Sequence, residues 1–324
     1  MDRRHLLLAT TLAAVAALLP ATASAQAWPS RPVTLVVPNP PGGLVDTSAR
    51  IVGDALTKVI GQPVVIDNRG GASGNVAYGF VARAPADGYT LLTSYSAYHV
   101  GNPWLSAKLP WNEKDFTPIA LVTVATNVIA AHPSVPANNL QEFIAYLKKN
   151  PGKLSYASQG NGSVSHIGTE MFKTQTGTSM VHIPYKGSGD AIRDVLSGQV
   201  QVFMTTPPSV MGHVQAGKLK AFAVTGKGRH PGLPNVPTTA EAGLKGFELE
   251  SWVAIFAPTG TPPDVVQKLS AGIKQALETP EAKTRADTAG IELRYLPPAQ
   301  LGDMVKRETE FWGKTIKAQG ITAD

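Results

Sequence analysis

The chain has 324 residues, 43% of them hydrophobic, a net charge of +6 and no cysteine. That length and apolar content suit about two soluble domains with cores of their own. The missing cysteines exclude disulfides, thiolate metal centres and a thiol nucleophile. The mild basic excess is scattered, as in Lys148-Lys149 and Lys306-Arg307, without the aromatic-interleaved patch that binds nucleic acid, although a weak positive field helps to collect anions.

The first 25 residues read as an address rather than as structure. Arg3-Arg4 makes a positive start, Leu6 to Leu19 is apolar apart from Thr10 and Thr11, and Ala23-Ser24-Ala25 fits an A-x-A cleavage site. A mature chain starting at Gln26, free in a bacterial periplasm, is expected. Asp2-Arg3-Arg4-His5-Leu6-Leu7 also loosely resembles a twin-arginine signal; ordinary secretion is preferred, because its signals also carry paired basic residues. No lipobox cysteine is present, so no lipid anchor is expected, and no later run reaches membrane-spanning length.

Val33 to Val37 is a β-branched run that suits a buried strand. Pro38, Pro40 and Pro41 end it, and Gly42-Gly43 lets the backbone turn tightly. From Leu44 the period changes, with Val45, Ala49, Val52, Leu56 and Val59 at helical spacing. A strand, a proline–glycine loop and a helix start bring unpaired N–H groups and the positive end of a helix dipole into one loop, which suits a carboxylate or phosphate. An ordinary βα connection has the same pattern. Asp46 falls in the first turn of that helix, where it stabilises the helix or orients the loop N–H groups rather than acting as a base.

Val64 to Ile66 is a second strand, and a glycine-rich loop from Asp67 to Asn75 precedes a helix from Val76 to Ala84. Tyr89 to Thr93 is a third strand. Ser94, Tyr95, Ser96, Ala97, Tyr98 and His99 follow it, as a pocket wall or a surface loop, because ligands of open α/β sheets sit beyond the carboxyl ends of strands. Ile119 to Ala131 is expected to leave the first lobe and enter a second. After a helix from Leu140 to Lys149 and a strand from Leu154 to Ala157, the loop from Ser158 to His166 opens another helix, so the first-lobe pattern returns. Met180 to Pro184 is a strand. Lys186 in the next loop is either a point-charge ligand for an anion or a solvated lysine. A helix from Ala191 to Leu196 and a strand from Gln201 to Met204 lead to Thr205-Thr206. A helix to Ala216 and a strand from Ala221 to Thr225 complete this lobe. Glu248 to Ala257 is the return crossing, on which Trp252 packs at a hinge or walls a cleft. Helices from Pro262-Pro263, from Pro280 and over Gln300 to Gln319 close the chain.

Strands alternating with helices predict an α/β fold with two mostly parallel sheets, joined by two hinge crossings into a two-lobed binding architecture. The expected division is a signal peptide at 1–25, a discontinuous first lobe at 26–125 and 250–324, and a second lobe at 126–249, with a ligand in the cleft between the lobes.

Catalytic and metal signatures are missing. There is no G-x-S-x-G, H-E-x-x-H or Walker A sequence, and Gly160-Asn161-Gly162 begins a dinucleotide fingerprint whose third glycine is replaced by Ser165. No two of His99, His132, His166, His182, His213 and His230 have the i, i+4 spacing of a metal pair, so neither a metal nor a cofactor is expected. Ser165 and His166 are neighbours, but adjacent residues diverge on a helix.

Six blocks are similar to the Bug-type receptors, the periplasmic solute-binding proteins of tripartite tricarboxylate transporters. They are Val36 to Asp46, Gln62 to Asn75, Ala84 to Leu92, His182 to Ala191, Leu233 to Gly243 and Trp252 to Pro262, in family order over nearly the whole chain after residue 25. The resemblance implies a two-lobed periplasmic binding fold (type II-like), an organic-acid ligand gripped by loop N–H groups, hydroxyls and waters, and no catalysis. By position it puts Pro41, Gly42, Gly43, Leu44 and Asp46 on the first-lobe side, with Ser94, Tyr95, Ser96 and Ala97 nearby. Ser158, Asn161, Gly162, Ser163 and His166 face them from the second lobe. Asn39 stands where the family commonly has an aromatic, and Thr205-Thr206 where it often has an acidic residue. Tyr95 and Tyr98 leave room for a stacked aromatic acid. The expected partners are a di- or tricarboxylate or aromatic carboxylate and the membrane transporter subunits, with the receptor a monomer and no nucleic acid involved. A secreted hydrolase using Ser165 and His166, and a ligand-dependent partner of a two-component sensor, are the alternatives.

Overall fold

The computed structural model describes residues 28–106 and 108–322, so the signal-peptide reading of residues 1–25 lies outside it. Residues from Arg31 onward make one compact unit. The chain runs β1 (Val33–Val37), α1 (Leu44–Ile60), β2 (Val64–Asn68), α2 (Asn75–Ala82), β3 (Thr90–Tyr95), α3 (Asn102–Leu105) and β4 (Phe116–Thr126). It continues with β5 (Val128–Ala131), α4 (Leu140–Lys149), β6 (Ser155–Ser158), α5 (Val164–Thr176), β7 (Val181–Pro184), α6 (Ser188–Ser197), β8 (Val202–Thr205), α7 (Pro207–Gln215) and β9 (Lys220–Val224). It ends with β10 (Glu250–Pro258), α8 (Pro263–Glu278), α9 (Pro280–Ala289), β11 (Glu292–Leu296) and α10 (Pro298–Gln319).

Two sheets organise these elements, one ordered β11-β4-β10-β3-β1-β2 and the other β7-β6-β8-β5-β9. The core of the order is the same in both: second, first and third strand of the lobe, then the strand on which the chain has just crossed over from the other lobe, then the fourth. β10 is the insert between β3 and β4, and β5 is the insert between β8 and β9. Each insert runs antiparallel to both its neighbours, whereas β1, β2 and β3, and likewise β6, β7 and β8, pair in parallel. The sheets are therefore mixed, which corrects the expectation of mostly parallel pairing. A strand arriving from the opposite lobe enters against the direction of the local βα units, and nothing in the local sequence shows that.

The crossings are stitched to each other. Asn127 N–H donates to Thr225 Oγ1 at 2.9 Å, Thr225 N–H donates back to Asn127 O at 2.9 Å, and Asn127 Nδ2 reaches Leu249 O at 3.2 Å. All three residues are buried, so the hinge is a polar seam with its backbone groups paired inside the protein.

Two elements depart from expectation. β3 continues through Ser94 and Tyr95, because these residues pair with Ala254 and Val253 of β10. Beyond it, Ala97–Gly101 forms one π-helical turn. β11, an edge strand against β4, has only a short apolar alternation, too weak a pattern to predict it.

Candidate functional site

Among the described residues three α-helix starts carry a side-chain cap and the other seven do not; what distinguishes α1, α6 and α7 among the uncapped ones is where they lie. The N-caps of α4, α5 and α9 are Asn139, Ser163 and Thr279, each of which accepts a backbone N–H through its side chain. The N-caps of α1, α6 and α7 are Gly43, Gly187 and Thr206, and none offers a side-chain cap. These three lie close together between the lobes. A Cβ on Gly43 would stand 2.8 Å from Ser188 Oγ, at the start of α6, and one on Gly187 would stand 3.0 Å from Pro40. Gln159 Nε2 donates to Ser188 Oγ at 2.7 Å and to Thr205 Oγ1 at 3.1 Å, tying the start of α6 to the end of β8, where α7 begins. The first N–H groups of α1 and α6 have no intrahelical acceptor, whereas α7 starts on Pro207-Pro208, which carry no N–H, and its Ser209 N–H donates to Thr206 O at 3.1 Å, so α7 brings only its positive end and its hydroxyls to the junction. Around it Asn39 Oδ1, Thr206 Oγ1 and Ser209 Oγ are buried without hydrogen-bond partners.

The loops of the two lobes touch directly. Ser73 Oγ donates to Asn161 O at 2.6 Å, Tyr98 OH to Gln159 O at 3.4 Å, and Tyr95 OH to Gln159 Oε1 at 3.4 Å. Ala72 and Ser73 hold φ of 47° and 51°, the left-handed region that side chains other than glycine rarely adopt. Two such residues in succession are strain held by their surroundings, of the kind that gathers at ligand clamps. They line a solvent-open cavity of about 500 Å³ with Pro38, Tyr98, Gly160 and Lys186.

Asp46 is buried and accepts from Gly42 N–H at 3.1 Å, from Arg50 Nη2 at 3.0 Å and from Asn68 Nδ2 at 3.0 Å. Burial alone would raise its pKa, but these bonds together hold it below the ordinary value. It is an ionised carboxylate whose lone pairs are taken, and it fixes the loop that carries Gly42 and Gly43.

The sequence-picked residues separate into groups. Asn39, Gly43, Leu44, Thr205 and Tyr95 border the junction of helix starts or reach across it, while Pro41 and Gly42 are exposed on its rim. Asn161 and Lys186 line the open cavity. Ser158, Gly162, Ser163 and His166 build the second-lobe loop: Ser158 Oγ accepts from Gly160 N–H at 3.2 Å, Ser163 caps α5, and His166 Nδ1 accepts from Gly162 N–H at 3.1 Å.

Four residues turn inward. Ser94 Oγ bonds Tyr78 OH at 2.8 Å and His99 Nδ1 at 3.0 Å, Ser96 Oγ accepts from Trp252 N–H at 3.3 Å, and Ala97 is buried in the π-helical turn. Trp252 packs beside His99, which stacks on Phe256 at 4.3 Å. Trp252 is thus a packing residue, and Ser94, Ser96 and Ala97 support the wall from behind; β3 runs further than expected, which carries them into the sheet. Burial drives the His99 pKa down to about 3, so its imidazole is neutral and structural.

The sequence points to Thr206 only through its place beside Thr205, and it does not point to Gln159, Ser188 or Ser209. Gln159 and Ser188 lie in glycine-containing loops that were marked, so the available signal was the loop and not the residue. Ser165 and His166 do not form a nucleophile pair: Ser165 Oγ faces Gln159 N–H at 2.9 Å, and His166 faces Gly162.

Comparison with known proteins identifies the family. The family model described as tripartite tricarboxylate transporter family receptor matches residues 48–321. Protein BugT of Bordetella pertussis (strain Tohama I) is 34% identical over 319 residues, covering 96% of this chain and 98% of BugT. The structure of R. palustris Rpa4515 with adipate superposes with a TM-score of 0.88 at 35% identity, covering 91% of this chain and 99% of that one. MatC (Rpa3494) from Rhodopseudomonas palustris with bound malate gives 0.83 at 33% identity, covering 89% of this chain and 100% of that one. With two mixed sheets, crossed strands and a match over most of its length, the chain belongs to the tripartite tricarboxylate transporter receptor family, whose members are solute-binding receptors and not enzymes.

Proposed function

We propose that this chain is a periplasmic receptor that closes on a small aliphatic di- or tricarboxylate and presents it to membrane transporter subunits. The observation that carries the reading is the convergence of the three helix starts at Gly43, Gly187 and Thr206, all without side-chain caps. An anion placed there would take charge-assisted hydrogen bonds, worth about 1.5–3 kcal/mol each, from the first N–H groups of α1 and α6, with the Thr206 and Ser209 hydroxyls as further donors. Adipate and malate in the two related structures are acids of this class. Tyr95 and Tyr98 pack edge to face at 5.1 Å and direct both hydroxyls at Gln159. They are engaged in closure, which argues for an aliphatic rather than an aromatic acid.

The moving bodies would be residues 26–125 with 250–324 and residues 126–249, turning about the Asn127–Thr225–Leu249 seam. Calorimetric titration with adipate, malate, citrate and benzoate tests the ligand class. Saturable binding of one or more aliphatic acids, with benzoate much weaker, is the expected result. Tight benzoate binding, or no heat with any of the four, overturns it.

A further inference from the structure

The two lobes solve the same local problem in the same way. In the first, Gly42 has φ of 98° and its N–H donates to Asp46 Oδ2. In the second, Gly162 has φ of 75° and its N–H donates to His166 Nδ1. Each glycine immediately precedes an N-cap, Gly43 or Ser163, and each acceptor is the third residue of the helix that follows the first strand of its lobe. The spacing, the left-handed glycine and the direction of the bond all coincide. The acceptor differs, a carboxylate in one lobe and an imidazole in the other, and so does the N-cap, Gly43 without a side-chain cap against Ser163 with one.

His166 is built into more than this bond. Its ring lies 4.2 Å from that of His182 at an interplanar angle of 6°, and His182 stacks in turn on Tyr156 at 4.8 Å. His182 Nε2 bonds Ser158 Oγ at 2.7 Å, and the same Oγ accepts from Gly160 N–H. The two stacked imidazoles thereby hold two N–H groups of the loop 159–163, one directly and one through a serine. The charged groups facing the stack are Glu170 and Lys173, which pair at 2.7 Å; Glu170 also accepts from Tyr156 OH at 2.5 Å.

We propose that His166 is the positioning residue of the second-lobe ligand loop, the counterpart of Asp46 in the first. It acts through neutral Nδ1 on Gly162 and does not touch the ligand itself. That this loop serves a carboxylate rests on the function proposed above. The hold requires a free lone pair on Nδ1. A protonated imidazole presents N–H against N–H, and the loop is released. Burial keeps the His166 pKa below its ordinary value, so the hold is intact at neutral pH and fails on acidification.

The full chain, without added ligand, is compared as wild type, His166→Asn and His166→Leu by amide exchange of residues 158–163 and by the pH dependence of the Gly162 amide resonance. Asparagine can present Oδ1 where the imidazole presents Nδ1; leucine cannot. Expected are wild-type protection in His166→Asn and at least tenfold faster exchange in His166→Leu. The Gly162 resonance should titrate below pH 6.5 in wild type and lose that step in His166→Asn. Equal protection in all three proteins, or an asparagine variant that behaves like the leucine one, overturns the proposal. Adipate affinity is then measured for the same set. Loop results as expected with no binding of any acid would leave the positioning role standing and remove the carboxylate reading.

Discussion

At the scale of single residues, the site depends on side chains that fix backbone rather than on ones that meet the solute. Asp46 is the clearest. Asp46→Asn keeps an acceptor for Gly42 but loses the charge that faces Arg50, and a stability loss of about 1–3 kcal/mol is expected in urea unfolding, with weaker ligand binding. His182 carries a pH dependence whose sign follows from its surroundings. Burial, and after it the neighbouring His166, brings its pKa from 6.5 down to about 4, so the fold favours the neutral ring. That contribution is complete above pH 6.5 and is lost as the pH falls from there through 4. Melting temperatures of His182→Gln should therefore decline less steeply over this window than those of wild type. A parallel decline would assign the acid sensitivity to other groups.

At the scale of elements, close approach sets the limits. Gly43→Val puts two methyl groups toward Ser188, so ligand affinity is expected to fall at least tenfold while the melting temperature changes little; calorimetry and thermal unfolding separate the two. Gly168 in α5 is a packing glycine, since a Cβ there would lie 2.4 Å from Leu249 Cδ2 and 3.1 Å from Met204 Sδ. Gly168→Ala should cost about 1–3 kcal/mol in urea unfolding by overpacking. Much of this level was legible in the sequence. α1, α4 and α8 announce themselves by apolar spacing and by stops at Gly61, Asn150-Pro151 and Thr279-Pro280, and the glycine loops before α1 and α5 were readable as paired. What was not legible is what depends on a distant partner. The extension of β3 comes from β10, and the inward turn of Ser94, Ser96 and Trp252 comes from Tyr78, His99 and the crossing strand. Gln159 gains its place only when Ser188 and Thr205 fold around it. Helix starts can be read locally, but which starts meet cannot.

At the scale of the whole molecule, the lobes meet through polar contacts such as Ser73 to Asn161 and apolar ones such as Ile167 beside Gly101 and Met211 beside Gly290, and the crossings pass through one paired seam. Closure about that seam is expected to accompany binding, so the radius of gyration in solution scattering should fall on saturation with the best aliphatic acid; an unchanged value would mean that the lobes are already locked. The crossing strands bear on how the chain comes to be folded at all. β3 and β4 have no common neighbour until β10 slides between them, so the amino-terminal sheet waits on residues more than a hundred positions downstream. Such far-reaching pairing slows assembly. A fragment stopping after Ala131 would lack the ribbon that joins β3 to β4, so the polypeptide stays pliable until its last third is available.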